Sequence, residues 1–189
     1  MISFSGFYGL EFMETELKLE VIRDVHLTDE QISAIHALCN RAYEEDLISL
    51  FATFTNATHV LGHVERAIVS HAMWVTRWLQ PGDGPRLRTA YIEMVATDPR
   101  YQRRGFATSI MKRIAEEISN FELGGLCPSE PELYEKLGWI FWRGPLFIRT
   151  PERLIPTPDE KVMILRLPKT PTLDLSLSLS AEWRKGELW

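Results

Sequence analysis

Two features of this sequence have residue types and spacing suited to chemistry. The first is Gln102-Arg103-Arg104-Gly105-Phe106-Ala107. Gly105 and the small Ala107 let backbone approach a ligand closely, and a helix opening there offers N–H groups without intrahelical acceptors at the positive end of its dipole. With two arginines beside them, these groups suit a pyrophosphate. The second is Glu93, a carboxylate set within the apolar run Tyr91, Ile92, Met94, Val95, Ala96. A carboxylate in such a run is costly unless it is paired or faces a cleft. An exposed patch of strand would also explain Glu93, and solvated arginines on an ordinary turn would explain the hexamer. The hexamer's place, directly after a buried strand and at the start of a helix, favours the functional reading.

The elements that must position these groups are visible in the spacing. Residues 91–96 read as a strand covered on both faces, and Asp98-Pro99 stops it because proline cannot donate to a ladder. Ala107, Ile110, Met111, Ile114 and Ile118 recur at three- and four-residue steps and form one helical face. Upstream, residues 17–22 alternate as a first strand, and Thr28 with Gln31 predicts a capping box for a helix ending near Tyr43. Glu44, Glu45 and Asp46 follow at its C-terminus, where the dipole disfavours anions. A short helix over 47–54 precedes a hairpin of 59–64 and 67–79 that turns at Glu65-Arg66. Downstream come a strand at 124–126, a helix at 132–137, and strands at 139–142 and 161–167. Residues 143–158 read as a proline-rich connection, and 173–179 as an alternating tail. This order gives a mixed α/β domain over residues 17–189 around one central sheet, with residues 1–16 as an arm.

Bulk properties narrow the function. A hydrophobic content of 45% with 25% charged residues is that of a soluble globular protein. The net charge of −5 argues against a nucleic-acid footprint and suits a cationic partner. Two cysteines, Cys39 and Cys127, are too few for a disulfide framework and read as reduced thiols, with cytoplasm as the default location. No apolar run approaches the about 20 residues a membrane span needs. The five histidines and the cysteines show no metal-ligand spacing.

The hexamer fits the acyl-coenzyme A loop pattern Gln/Arg-x-x-Gly-x-Gly/Ala, and the chain resembles the GNAT N-acetyltransferase superfamily. Within it, YIEMVAT, FELGGLCPS, LYEKLGWIFWRGP, TPDE and the ending AEWRKGELW are similar to the aminoglycoside 2′-N-acetyltransferases. The resemblance implies the GNAT fold: a central mixed, mostly antiparallel sheet flanked by helices and splayed at the acetyl-CoA cleft. It implies acetyl-CoA as co-substrate, with Val95, Thr97, Arg103, Arg104, Gly105, Phe106, Ala107 and Thr108 around it. Glu93 is then the residue that directs the proton away, at a bulge beside the thioester, and Tyr134 the general acid for the departing thiol. Asp46, Glu93, Asp159, Glu160 and the terminal Trp189 would gather round an amino-sugar antibiotic, whose acetylation confers resistance. Met94 stands where this family usually has a small residue.

The implied reaction is direct transfer to a 2′-amine in a ternary complex, without a covalent intermediate on Cys127. Arg143, Arg149 and Arg153 would give a more basic rim, suited to an acceptor with fewer amines and a carboxylate, such as kasugamycin. Two other readings remain open at this point. One is a GNAT acting on a protein amine or polyamine; the other is a coenzyme A-binding module without activity. The sequence implies no nucleic-acid, membrane or metal partner and leaves a homodimer open.

Overall fold

The computed structural model describes residues 16–186 and 188–189. The expected arm therefore lies outside the described residues except for Glu16, as does Glu187 of the terminal motif. The chain runs β1 (Lys18–Arg23), α1 (Asp29–Tyr43), α2 (Ile48–Phe51), β2 (Thr58–Val64), β3 (Ala67–Pro81), β4 (Leu87–Thr97), α3 (Phe106–Glu117), β5 (Leu123–Leu126), α4 (Pro131–Glu135), β6 (Ile140–Phe141), β7 (Leu146–Arg149), β8 (Leu154–Pro156), β9 (Met163–Arg166) and β10 (Leu179–Glu182). The ten strands form one sheet in the order β6-β9-β5-β4-β3-β10-β7-β8, with β2 on β3 and β1 on β2. Among the described strands, only β4–β5 and β7–β10 pair in parallel.

The two faces of this sheet are covered separately. Thr28 and Gln31 cap α1 reciprocally, side chain to backbone in both directions, at 3.2 and 3.0 Å. That helix lays Ile35, Leu38 and Cys39 on one face. On the other, α3 buries Phe106, Ile110, Met111 and Ile114. Each of these four contributes roughly 1.5–3 kcal/mol of apolar burial. The sheet's length comes from β3, whose fifteen residues carry β2 along one end and β10 at the other, Pro81 and Gln80 facing Leu179 and Ser180.

Two features of the sheet make the site. The parallel pairing of β4 with β5 covers only Thr89, Ala90 and Tyr91, although β4 continues to Thr97 and β5 to Leu126. Beyond Tyr91 the two strands part. Within β4 the register slips: Met73 faces Glu93 but His71 faces Ala96, so Met94 and Val95 oppose Ala72 alone. This is a β-bulge, with Met94 in the left-handed region at φ 53°.

Where the strands still touch, contact is close. A Cβ on Gly125 would lie 2.9 Å from Cδ2 of the buried Tyr91. Gly125→Ala is therefore expected to destabilise the protein by about 1–3 kcal/mol through overpacking. A lower urea midpoint at unchanged slope would show it, and an unchanged midpoint would refute it.

The proline-rich 143–158 connection proves to hold strands, β7 and β8, and the alternating tail at 173–179 leads into a further strand, β10. Arg149, expected on a substrate rim, is half-buried in this frame. It donates to the carbonyl of Ser180 and the carbonyl of Trp78, each at 2.5 Å. Arg143 and Arg153 remain exposed. No helix among the described residues is long and apolar enough to cross a membrane.

Candidate active site

The parted strands open a cavity of about 690 Å³. Its walls come from the end of β4, the start of α3, the C-terminal end of α1, and α4 with the loop before it. Val95, Thr97, Arg103, Gly105, Phe106, Ala107 and Thr108 line it, together with Tyr134. Arg104 stands outside, its guanidinium 5.1 Å from the centre of the Tyr101 ring.

The floor of this cavity is built for an anion. Gly105 caps α3 at φ 80°, with open space where a side chain would stand. The first bond within the helix runs from the Ser109 N–H to the Gly105 carbonyl, 3.0 Å. The N–H groups of Phe106, Ala107 and Thr108 precede that bond and have no intrahelical acceptor. The loop is anchored by Asp98, whose carboxylate accepts from Arg41 and Arg100, each at 3.0 Å. Those arginine bonds hold its carboxyl well below the usual range. Backbone donors, a positive dipole end and Arg103 together fit the pyrophosphate of a coenzyme A ester.

Tyr134 is 5% exposed, on α4. Burial pushes its hydroxyl up to about 12, with Glu130 adding to the effect. The phenol therefore keeps its proton at neutral pH.

Glu93 lies on the opposite face of β4 from the α3 core, directly across the ladder from Met73. It is nearly buried, and its Oε1 accepts from Arg184 at 2.5 Å. Arg184 also donates to the Trp189 carbonyl at 3.4 Å and stands 5.3 Å from the Phe54 ring. Trp189 is packed into the core, its Nε1 donating to Thr157 at 2.8 Å. The terminal segment is thus folded down on Glu93.

The other expected acids sit further out. Glu160 is exposed and accepts from the Cys127 thiol at 3.6 Å, and Asp159 is exposed beside it. Asp46 accepts from the Ile48 N–H at 3.1 Å. That bond explains an acid after α1: it serves the start of α2, where negative charge is favoured. Neither cysteine is in a disulfide. Burial pushes the Cys39 thiol up to about 12. Among the described residues, no group of three or more His, Cys, Asp or Glu could hold a metal ion.

Three elements of the site gave no signal in the sequence. Arg77, 1% exposed on β3, donates to the carbonyls of Leu188 and Glu182, each at 2.8 Å. The Tyr91 hydroxyl beside it is buried without a hydrogen-bond partner among the described residues. The third is a pair of buried histidines behind the bulge, His59 and His71. A lone cation or imidazole in a strand pattern has no periodic signature, and only the cross-strand register reveals its partners.

A sheet parted beyond a bulge, with a helix N-terminus facing the gap, is the architecture of the GNAT fold. The profile described as "Acetyltransferase (GNAT) domain" matches residues 25–141, and the chain belongs to that family. It is 30% identical over 130 residues to an aminoglycoside 2′-N-acetyltransferase of Mycolicibacterium fortuitum, a match covering 65% of this chain and 66% of that protein. The chain thus spans just under two thirds of that relative. Among solved structures it is similar to the GNAT family N-acetyltransferase YhbS of Escherichia coli in complex with CoA. The TM-score there is 0.61 at 14% identity, covering 89% of this chain and 91% of that one. Eis1 of Mycobacterium abscessus is similar at TM-score 0.56 and 18% identity, over 66% of this chain but 31% of that one. These likenesses confirm the expected fold.

Proposed function

We propose that this protein transfers the acetyl group of acetyl-CoA to the 2′-amine of an aminoglycoside-type amino sugar. The observation that carries the reading is Glu93. It is a near-buried carboxylate at the bulge, on the face of β4 away from the α3 core, where a cation already lies against it. The similarity to a 2′-N-acetyltransferase supports the choice of amine.

In this reading Arg103 and the N–H groups opening α3 hold the pyrophosphate of the donor. Acetyl-CoA supplies the activated acyl group. An acceptor ammonium takes the place of Arg184 on Glu93, and the carboxylate draws away the proton whose loss makes the nitrogen a nucleophile. As the N–C bond forms and the C–S bond breaks, Tyr134 gives its proton to the departing sulfur. Asp159 and Glu160 hold the remaining amines by charge-assisted hydrogen bonds, with Trp189 closing the tail beside them. Kasugamycin is the narrower candidate acceptor: Arg143 and Arg153 face solvent and can meet a carboxylate, whereas Arg149 is committed to the frame.

Thiol release from acetyl-CoA tests this across kasugamycin, gentamicin, an aminoglycoside with a 2′-hydroxyl, spermidine and a peptide. Turnover confined to 2′-amino compounds is expected. Turnover of spermidine or peptide with silence on the sugars would overturn the substrate class. Tyr134→Phe is expected to lower kcat about 100-fold with acetyl-CoA affinity unchanged. Because its hydroxyl is held up to about 12, no alkaline limb from this group should be seen below about pH 11. A wild-type kcat in the variant would remove Tyr134 from the mechanism.

A further inference from the structure

The bulge in β4 carries a conformational cost that the ladder does not offset. Met94 is a side-chain-bearing residue at φ 53°, a left-handed conformation that is strained when unsupported. Its carbonyl is taken up by His71 of β3, on the α1 face of the sheet, Nδ1 to O at 2.9 Å. His71 is fully buried, and its Nε2 lies 3.0 Å from Nδ1 of His59, on β2 and also buried.

The chemistry of the partners fixes the protons. A carbonyl oxygen only accepts, so the proton of His71 is on Nδ1. Its Nε2 is then a bare acceptor, and His59 must donate to it from Nδ1. Burial keeps both rings neutral, lowering His59 to about 4 and His71 to about 3, so this arrangement persists at neutral pH. The Cys39 sulfur, 3.7 Å from Nδ1 of His71, and the Phe51 ring complete the enclosure. Asp24 and His36 act on the pair only through their charge. Nothing in the proposed chemistry uses these two imidazoles, yet they end on the one residue whose backbone turns between Glu93 and the cavity-lining Val95.

We propose that His71, oriented by His59, is a positioning residue: its hydrogen bond to the Met94 carbonyl locks the bulge that presents Glu93 to the acceptor. The proposal rests on the acetyltransferase reading for its consequence but not for its geometry. The geometry is read without turnover, by nitrogen-15 NMR of labelled histidine in the wild-type protein. Two neutral rings protonated at Nδ1 are expected, with the His71 proton exchanging slowly; protonation of His71 at Nε2 overturns the clamp.

The consequence is read with three variants. His71→Asn places an amide N–H where Nδ1 stood, whereas His71→Gln places it where Nε2 stood and His71→Leu removes it. The Asn variant is expected to keep kcat within about threefold, and Gln and Leu to lose about 10- to 100-fold in kcat, since small misplacements at a reacting centre carry such factors. CoA affinity should stay within about threefold throughout, separating positioning from binding. Should the Leu variant not fold, the Asn–Gln comparison decides alone. Equal kcat in Asn and Gln variants, or losses that simply track melting temperature, overturn the proposal. If wild-type protein acetylates nothing on the panel, the functional reading has failed, and the clamp is then judged by the NMR result alone.

Discussion

Glu93→Gln should lower kcat with a 2′-amino sugar by about 1,000-fold while leaving CoA affinity nearly unchanged. The amide is isosteric but cannot accept the ammonium's proton. The pyrophosphate cradle lies at α3, on the other side of the parted strand, so donor binding has no reason to change. Two effects are folded into the loss. The variant removes the proton acceptor, and it also removes the charge that Arg184 pairs with, at 2.5 Å. Arg184→Gln separates them, since it removes this cation from the carboxylate while keeping the acceptor of the proton. If the pair only competes with the substrate ammonium, Arg184→Gln lowers the acceptor KM and spares kcat. If Arg184 mainly holds the tail over the site, KM rises instead. A Glu93→Gln enzyme within tenfold of wild type would show that the proton leaves by another route, and the carboxylate would then be a binding group only.

The part of the site that could be read from the sequence is the part made by consecutive residues. Residues 91–96, the glycine turn and α3 form one uninterrupted unit, in which apolar spacing changes from strand to helix and the ligand groups lie between. The order of Tyr134 relative to neighbouring blocks places it, and Trp189 belongs to a motif with no generic structural use. Strands β7, β8 and β10 gave no signal because each has only three or four residues, two of them in a proline-rich stretch, and their partners are remote. Such strands exist because a neighbour supplies the ladder, not because their own pattern demands it. The same reason hides the arginines. Arg149 looked like a rim charge, yet its guanidinium holds carbonyls of two other segments. His59 and His71 are unremarkable within their own strands, and become a relay only when β2 and β3 align and the bulge in β4 turns a carbonyl toward them.

Arg77→Met is expected to destabilise the protein by about 3–5 kcal/mol, the range for breaking a buried charged cluster from one side. Its guanidinium is nearly inaccessible and donates to the carbonyls of Leu188 and Glu182, with Glu182 Oε1 at 3.5 Å from its Nε. Burial, with Arg184 nearby, lowers the guanidinium's pKa. A buried ion pair can often be replaced by apolar groups at little cost, but only when both partners go. Here two partners are main-chain carbonyls, which no substitution removes, so methionine leaves them without donors at about 1–3 kcal/mol each. Relief from desolvating a cation offsets part of this loss. The tail bonded by Arg77 also carries Arg184 and Trp189, so the same change should raise the acceptor KM and expose the tail segment to limited proteolysis. Lysine, with one compact ammonium instead of a fork, cannot span both carbonyls and should fall between wild type and methionine. Urea unfolding measures the first effect and tail digestion the second. Unchanged stability with an intact, protected tail would mean that Trp189 and its bond to Thr157 hold the segment without Arg77.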